Sequence, residues 1–241
     1  MRIYMNAAEA FEEVKRDLAE MGIWVRPKTM QDKVIEGNVD YETTELQNYC
    51  YTILNAKSSE VPGVDQPWAD LEFEERVHDP YTRGEEGELI GEPQFINPGE
   101  AWKTRSEVWG EFMHNGKMGY TYNELLWNND QLVKIINRLE EDPDSRQLWI
   151  SLWDPTRDPD LLGGVSRVPC SLGYGLQVRN GKLNLHYVMR SCDFSTHFSN
   201  DVYLAIKMLE YIARLTDYPV GNFTHTMFSL HVYRKDLKNV F

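Results

Sequence analysis

Residues 171–190 read SLGYGLQVRNGKLNLHYVMR. Two runs rich in β-formers, Ser171–Arg179 and Lys182–Arg190, flank Asn180-Gly181. Asn and Gly adopt positive φ cheaply, so this dipeptide predicts a tight antiparallel hairpin. Outward from it, Gln147–Trp153 (QLWISLW) and Phe223–Tyr233 read as further strands. Asn200–Leu215 reads as a long helix with an apolar face. Ala7–Met21 has helical spacing and stops at Gly22. Glu124–Glu140 reads as one helix, ended by Asp142-Pro143-Asp144-Ser145, and Gln66–Val77 as a short one. Glu45–Leu54 (ELQNYCYTIL) is two-sided: its β-formers suggest a strand, yet Leu46, Tyr49, Cys50 and Ile53 share a helical face. Asp79–Glu100 is rich in Gly, Pro and Glu and reads as a long surface loop, and Val108–Tyr122 is irregular. Helices and strands interleave without strict βαβ alternation, which predicts an α+β fold.

The 241 residues and a 41% hydrophobic content suffice for one substantial core, read as a single domain over 1–241. The net charge of -13 repels polynucleotides, so a nucleic-acid groove is not expected, whereas a small anion held by local arginines is compatible. No apolar run reaches the ~18 residues of a membrane span, and the N-terminus lacks a signal-peptide core. Cys50, Cys170 and Cys192 form no disulfide framework or zinc pattern. These features together predict a cytoplasmic protein with reduced thiols.

Cys170 follows Val168-Pro169 at a strand start, where its thiol could face a cleft. Alone it reads equally as a small core residue. Its company is Asp142-Pro143-Asp144-Ser145-Arg146 upstream, Arg190-Ser191-Cys192-Asp193 after the hairpin, Asn200-Asp201 beyond it, and His231-Val232-Tyr233 on the last strand. This set, in this order from about Trp109 to Tyr233, resembles the thymidylate synthase family.

The resemblance implies a thymidylate-synthase-like fold, with a large mixed sheet flanked by helices. It implies that Cys170 adds as a thiolate to C6 of a pyrimidine nucleoside monophosphate, making C5 a nucleophile. A neighbouring arginine favours the thiolate, and its fork suits phosphate oxygens. By resemblance, Arg190 and Ser191 bind the phosphate, and Arg146 reaches in from the second subunit of a homodimer. Asp193 supports the pyrimidine, and Tyr122 is a site tyrosine near the thiol. His231 and Tyr233 bind the sugar 3'-hydroxyl; two residues apart on a strand, they share a face. The plain alternatives are solvated surface for the arginines and ordinary packing for the strand.

Several positions depart from the synthase pattern. Asp201 stands where synthases acting on deoxyuridylate carry asparagine. An ionised carboxylate only accepts, which suits the 4-amino group of cytosine and a proton on N3. Aspartate at this position is found in the cytidylate hydroxymethylases, although Asp201 or Asn200 could instead cap the helix beginning there. Ser171 replaces a common histidine, Met189 a common glutamine, and Gln147 a second arginine. Arg26, Lys28 and Lys33 are candidates for a phosphate arm. The general acid/base of the family is a glutamate on an early helix, in a Glu-Leu-x-x-aromatic context. Glu45-Leu46-Gln47-Asn48-Tyr49 fits that text, which would make the segment helical; Glu72 is the second choice. The one-carbon donor implied is 5,10-methylenetetrahydrofolate, with Trp109 and Phe112 as candidates to line its site or simply to pack. A chain ending soon after Tyr233 would lack the closing tail of the synthases. Together with Asp201, this favours water over hydride and a hydroxymethyl product. The rivals are C5 methyl transfer to the same nucleotides and a degenerate, nucleotide-binding regulator.

Overall fold

The computed structural model describes residues 2–105, 107 and 110–241, and the counts below are of those residues. A seven-stranded mixed sheet is its centre. The strands are β1 (Arg2–Tyr4), β2 (Ile23–Val25), β3 (Thr43–Ile53), β4 (Trp149–Ser151), β5 (Ser171–Arg179), β6 (Lys182–Asp193) and β7 (Val220–Tyr233). They run in the order β1-β3-β7-β6-β5-β4, with β2 also paired to β3. The β1–β3 and β6–β7 pairs are parallel and the others antiparallel. The β5–β6 hairpin turns as expected, with φ of 53° at Asn180 and 70° at Gly181.

The main helices are α1 (Ala7–Met21), α2 (Trp68–Val77), α3 (Tyr122–Trp127), α4 (Gln131–Glu141) and α5 (Phe198–Leu215). α1 packs on β3, and α5 packs on β6 and β7. α1 matches its expected bounds. Asn6 caps it, accepting from the Glu9 amide at 2.8 Å. A Cβ at Gly22 would collide with the Leu18 carbonyl and the Thr44 hydroxyl, so the chain turns there on glycine. Alternation on β6 sends Leu183, Leu185 and Tyr187 into the core and His186 to the opposite face. That second face exposes Trp149 and Phe228. Among the described residues, no helix is long and apolar enough to cross a membrane.

Three expectations need correction. Residues 43–53 form a strand, hydrogen-bonded to β7 on one side and to β1 and β2 on the other. Buried positions change parity around Asn48, whose φ is 51°: Leu46 lies on one side of the change, and Tyr49, Tyr51 and Ile53 on the other. That shift produces the three-residue step that mimicked a helix. The helix expected over 124–140 is two helices, broken at Asn129 and Asp130, both at φ 54°. Arg83 grips both Asp130 oxygens, at 3.1 and 2.6 Å, so a distant ion pair stabilises the break. Finally, α5 starts at Phe198 with His197 as its N-cap, so neither Asn200 nor Asp201 is the cap.

Candidate active site

A cavity of about 460 Å³ opens at the C-terminal ends of β6 and β7. Cys170 and Arg190 meet on its wall. The backbone N–H of Arg190 donates to the Cys170 carbonyl at 2.9 Å, which aligns the start of β5 with β6. The Arg190 side chain is then tied down: Nε donates to the Pro169 carbonyl at 2.9 Å and Nη2 to that of Val168 at 3.1 Å. Nη2 also lies 3.8 Å from the Cys170 sulfur. Gln31 approaches from the other side, its Nε2 at 3.6 Å from the same sulfur. The thiol therefore faces two N–H donors.

Strand register places Asp193, His231 and Glu45 in one cross-strand row. Ser191 pairs with Ser229 one step back. Ser229 donates to Glu45 Oε2 at 2.5 Å and lies 3.3 Å from His231 Nδ1. Burial pushes the His231 pKa down, against the pull of Asp193 and Glu45, which keeps the ring neutral. The His231 and Tyr233 rings touch edge-on at 5.1 Å. Burial also pushes the Tyr233 phenol up, so it stays a hydrogen-bonding hydroxyl.

Asp201 sits in the first turn of α5 and lines the same cavity. Burial raises its pKa, while His197 and then Arg76 pull it back. Its Oδ2 accepts from the Cys192 thiol at 3.7 Å. Burial, and next the Asp201 charge, push the Cys192 thiol well up, so Cys192 acts as a donor. Tyr122 lies at the N-terminus of α3, where Thr121 and Glu124 form a capping box. Its hydroxyl accepts from Ser171 Oγ at 3.0 Å, and Ser171 contacts the Tyr187 hydroxyl at 2.5 Å. Ser171, next to Cys170 in the chain, thus joins half-buried Tyr122 to buried Tyr187.

Nine of the residues singled out from sequence line this one cavity: Cys170, Glu45, Asp201, Tyr122, Arg190, Ser191, Asp193, His231 and Tyr233. Arg146 is exposed and is not among the lining residues. Trp109 lies outside the described residues. Glu45 is present but on a strand, so the expected helical context fails there. Glu72 has that context: it is buried on α2, beside the cavity-lining Arg76 and Trp102. Of the phosphate-arm candidates, Lys33 lines the cavity and pairs with Glu111 at 2.7 Å, while Arg26 pairs with Glu42 at 3.0 Å and Lys28 with Glu36 at 2.9 Å.

Sequence reasoning missed Gln31, Arg76 and Arg167. Arg167 is buried, its guanidinium 5.0 Å from the Tyr120 ring, 5.3 Å from Phe112 and 5.4 Å from Trp102. An arginine three residues before the cysteine was a visible signal; Gln31 offered none. Trp68, Trp102, Phe112 and Tyr120 form an aromatic wall beside the thiol. Such a wall fits a flat heteroaromatic ring by stacking. No group of three or more His, Cys, Asp or Glu among the described residues is placed to hold a metal.

A mixed sheet presents a thiol, an anchored arginine and the desolvated Asp201 carboxylate to one cavity, an arrangement suited to covalent chemistry on a small anionic substrate. The profile of the family described as thymidylate synthase matches residues 99–241, more than half of the chain, and the chain belongs to that family. A protein of Methanosarcina barkeri described as "Putative thymidylate synthase" is 28% identical over 230 residues, 91% of this chain and 94% of its own. One of Methanosarcina acetivorans with the same description is 35% identical over 121 residues, and the match spans about half of each chain, 48% and 54%. Two solved structures share the fold. Thymidylate synthase A of Bacillus subtilis gives a TM-score of 0.70 at 19% identity, covering 96% of this chain and 81% of that one. Thymidylate synthase of phage T4 gives 0.67 at 17%, covering 95% and 78%.

Proposed function

We propose that the chain, acting as one catalytic domain over 1–241, is a cytidylate C5 hydroxymethylase. It converts a cytidine monophosphate (CMP or dCMP), a folate-borne one-carbon unit and water into the 5-hydroxymethyl nucleotide and the free folate carrier. The observation that carries this reading is the Asp201 carboxylate, desolvated in the cavity wall that also bears Cys170.

The Cys170 sulfur forms a bond to C6 while the C5–C6 π pair moves to C5. Arg190 and Ser191 hold the phosphate, with Arg146 of a second copy completing the pocket. His231 and Tyr233 hold the sugar 3'-hydroxyl. Asp193 supports the ring, and Asp201 accepts from the 4-amino group and favours a proton on N3. Tyr122, anchored through Ser171, stands beside the thiol. Glu72 is now the better placed acid/base, with Glu45 the alternative, because burial raises the Glu72 pKa toward the working range of a proton-transfer group. 5,10-Methylenetetrahydrofolate, when bound against the aromatic wall, supplies the one-carbon unit. Once that carbon is bonded to C5, loss of the C5 proton and departure of the folate carrier leave an exocyclic methylene; water adds to it, the electron pair returns to the ring, and the S–C6 bond breaks to free the Cys170 thiolate. The exposed sheet face bearing Trp149 and Phe228 supports a homodimer.

A second reading, methyl transfer, is favoured by the description of the relatives as thymidylate synthases. Incubation of dCMP, CMP and dUMP with methylenetetrahydrofolate, followed by product mass, separates the two. Hydroxymethylation gives a cytidylate heavier by one formaldehyde, with tetrahydrofolate released. Methyl transfer gives dihydrofolate, and that outcome overturns the hydroxymethylase reading.

A further inference from the structure

Glu72 and Arg76 stand four apart on α2, so their side chains share one face. Both are buried, and Arg76 Nε donates to Glu72 Oε1 at 2.7 Å. The guanidinium lies 4.1 Å from the centre of the Tyr122 ring and lines the cavity. The main chain here is pinned as well: Trp127 Nε1 donates to the Arg76 carbonyl at 3.1 Å, and Asn123 Nδ2 to the Glu75 carbonyl at 2.9 Å. A buried ion pair is weak evidence of stability design, because an apolar pair often fills such space as well or better. Here Arg76 instead lines the cavity and touches Tyr122, which is hydrogen-bonded to Ser171 next to Cys170.

We propose that Arg76 is a positioning residue of this site: its guanidinium holds the Glu72 carboxylate through Nε and packs over Tyr122, fixing both side chains beside the cavity. This rests on the reading of the cavity as a pyrimidine site. The groups facing Glu72 are Arg76, Glu75 and Trp102. Burial pushes the Glu72 pKa up, and the Arg76 guanidinium bonded to it draws it back.

The test is the titration of Glu72 in the nucleotide-free protein, read by NMR of carboxyl-labelled glutamate, with the Glu72 signal assigned by its loss in Glu72→Gln. Arg76→Met should raise the Glu72 midpoint by about one pH unit or more, a tenfold change in its ionisation. Arg76→Lys should restore most of that shift. It should still lower cytidylate turnover about tenfold, because an ammonium cannot lie flat over Tyr122 and donate through Nε. An unmoved midpoint in Arg76→Met overturns the proposal. If that variant fails to fold, wild-type turnover and an unchanged pH–rate profile in Arg76→Lys overturn it. The titration needs no substrate, so it judges Arg76 even where the wild-type protein fails to turn over cytidylate, a failure that would count against the functional reading alone.

Discussion

Arg190 reaches the Cys170 sulfur because Pro169 and Val168 hold its Nε and Nη2 through their carbonyls. A lysine has no fork to share between those carbonyls and the thiol. Arg190→Lys should therefore raise the nucleotide KM about tenfold or more, measured by steady-state kinetics. In the proposed function, base selection turns on Asp201. Asp201→Asn should lower kcat/KM for cytidylate by about 10- to 100-fold and raise it for uridylate, since one buried donor–acceptor mismatch costs ~1–3 kcal/mol. Competition between labelled dCMP and dUMP checks this, and an unchanged preference would remove Asp201 from base reading. Residue types carried most of this site in the sequence. The Cys, Arg, Asp and His-x-Tyr positions were legible through the family resemblance, which carries those residue types in that order. Gln31 and Arg76 were not, because only the fold brings them to the cavity.

Among the elements, the β5–β6 hairpin and α1 were readable because their signals are local: Asn180-Gly181 for the turn, Asn6 and Gly22 for the helix ends. The helix break at Asn129 and Asp130 was not, because its cause is Arg83, far away in sequence. The segment around Glu45 read two ways for a related reason: the parity change near Asn48 gave a strand the spacing of a helix. β7 carries a further consequence at this scale. His225 is fully buried among Tyr51, Tyr187 and Phe198, and burial pushes its pKa down to about 3. A folded pKa below the unfolded value of about 6.5 means that the stability is present above pH 6.5 and lost as pH falls toward 3. At pH 4.5 this one group should cost the fold about 2–3 kcal/mol. His225→Phe should weaken the protein slightly at pH 7, losing the 3.2 Å bond to the Tyr51 hydroxyl, yet flatten the acid loss. Urea unfolding at both pH values measures the difference; equal acid sensitivity in the variant would contradict it.

For the whole molecule, the sheet leaves one face without a layer of its own, and Arg146 lies outside the cavity it is proposed to serve. Both point to a second copy of the chain. If the pocket is shared, Cys170→Ala and Arg146→Ala should each be nearly inactive alone. Subunit exchange between them should then recover about a quarter of wild-type activity, because half the dimers would carry one complete site. No recovery after verified exchange would place Arg146 in its own subunit's site or in none. The sheet and its flanking helices followed from the sequence through the resemblance, while the open face, the broken helix and the Glu72–Arg76 pair needed the assembled chain.

The account stands or falls on Cys170 attacking a cytosine ring, and release of tritium from C5-labelled dCMP or CMP in the presence of methylenetetrahydrofolate reads that step directly. The account predicts release by the wild-type protein, faster than from labelled dUMP, and none by Cys170→Ala. Release from dUMP alone, or undiminished release by Cys170→Ala, would contradict it.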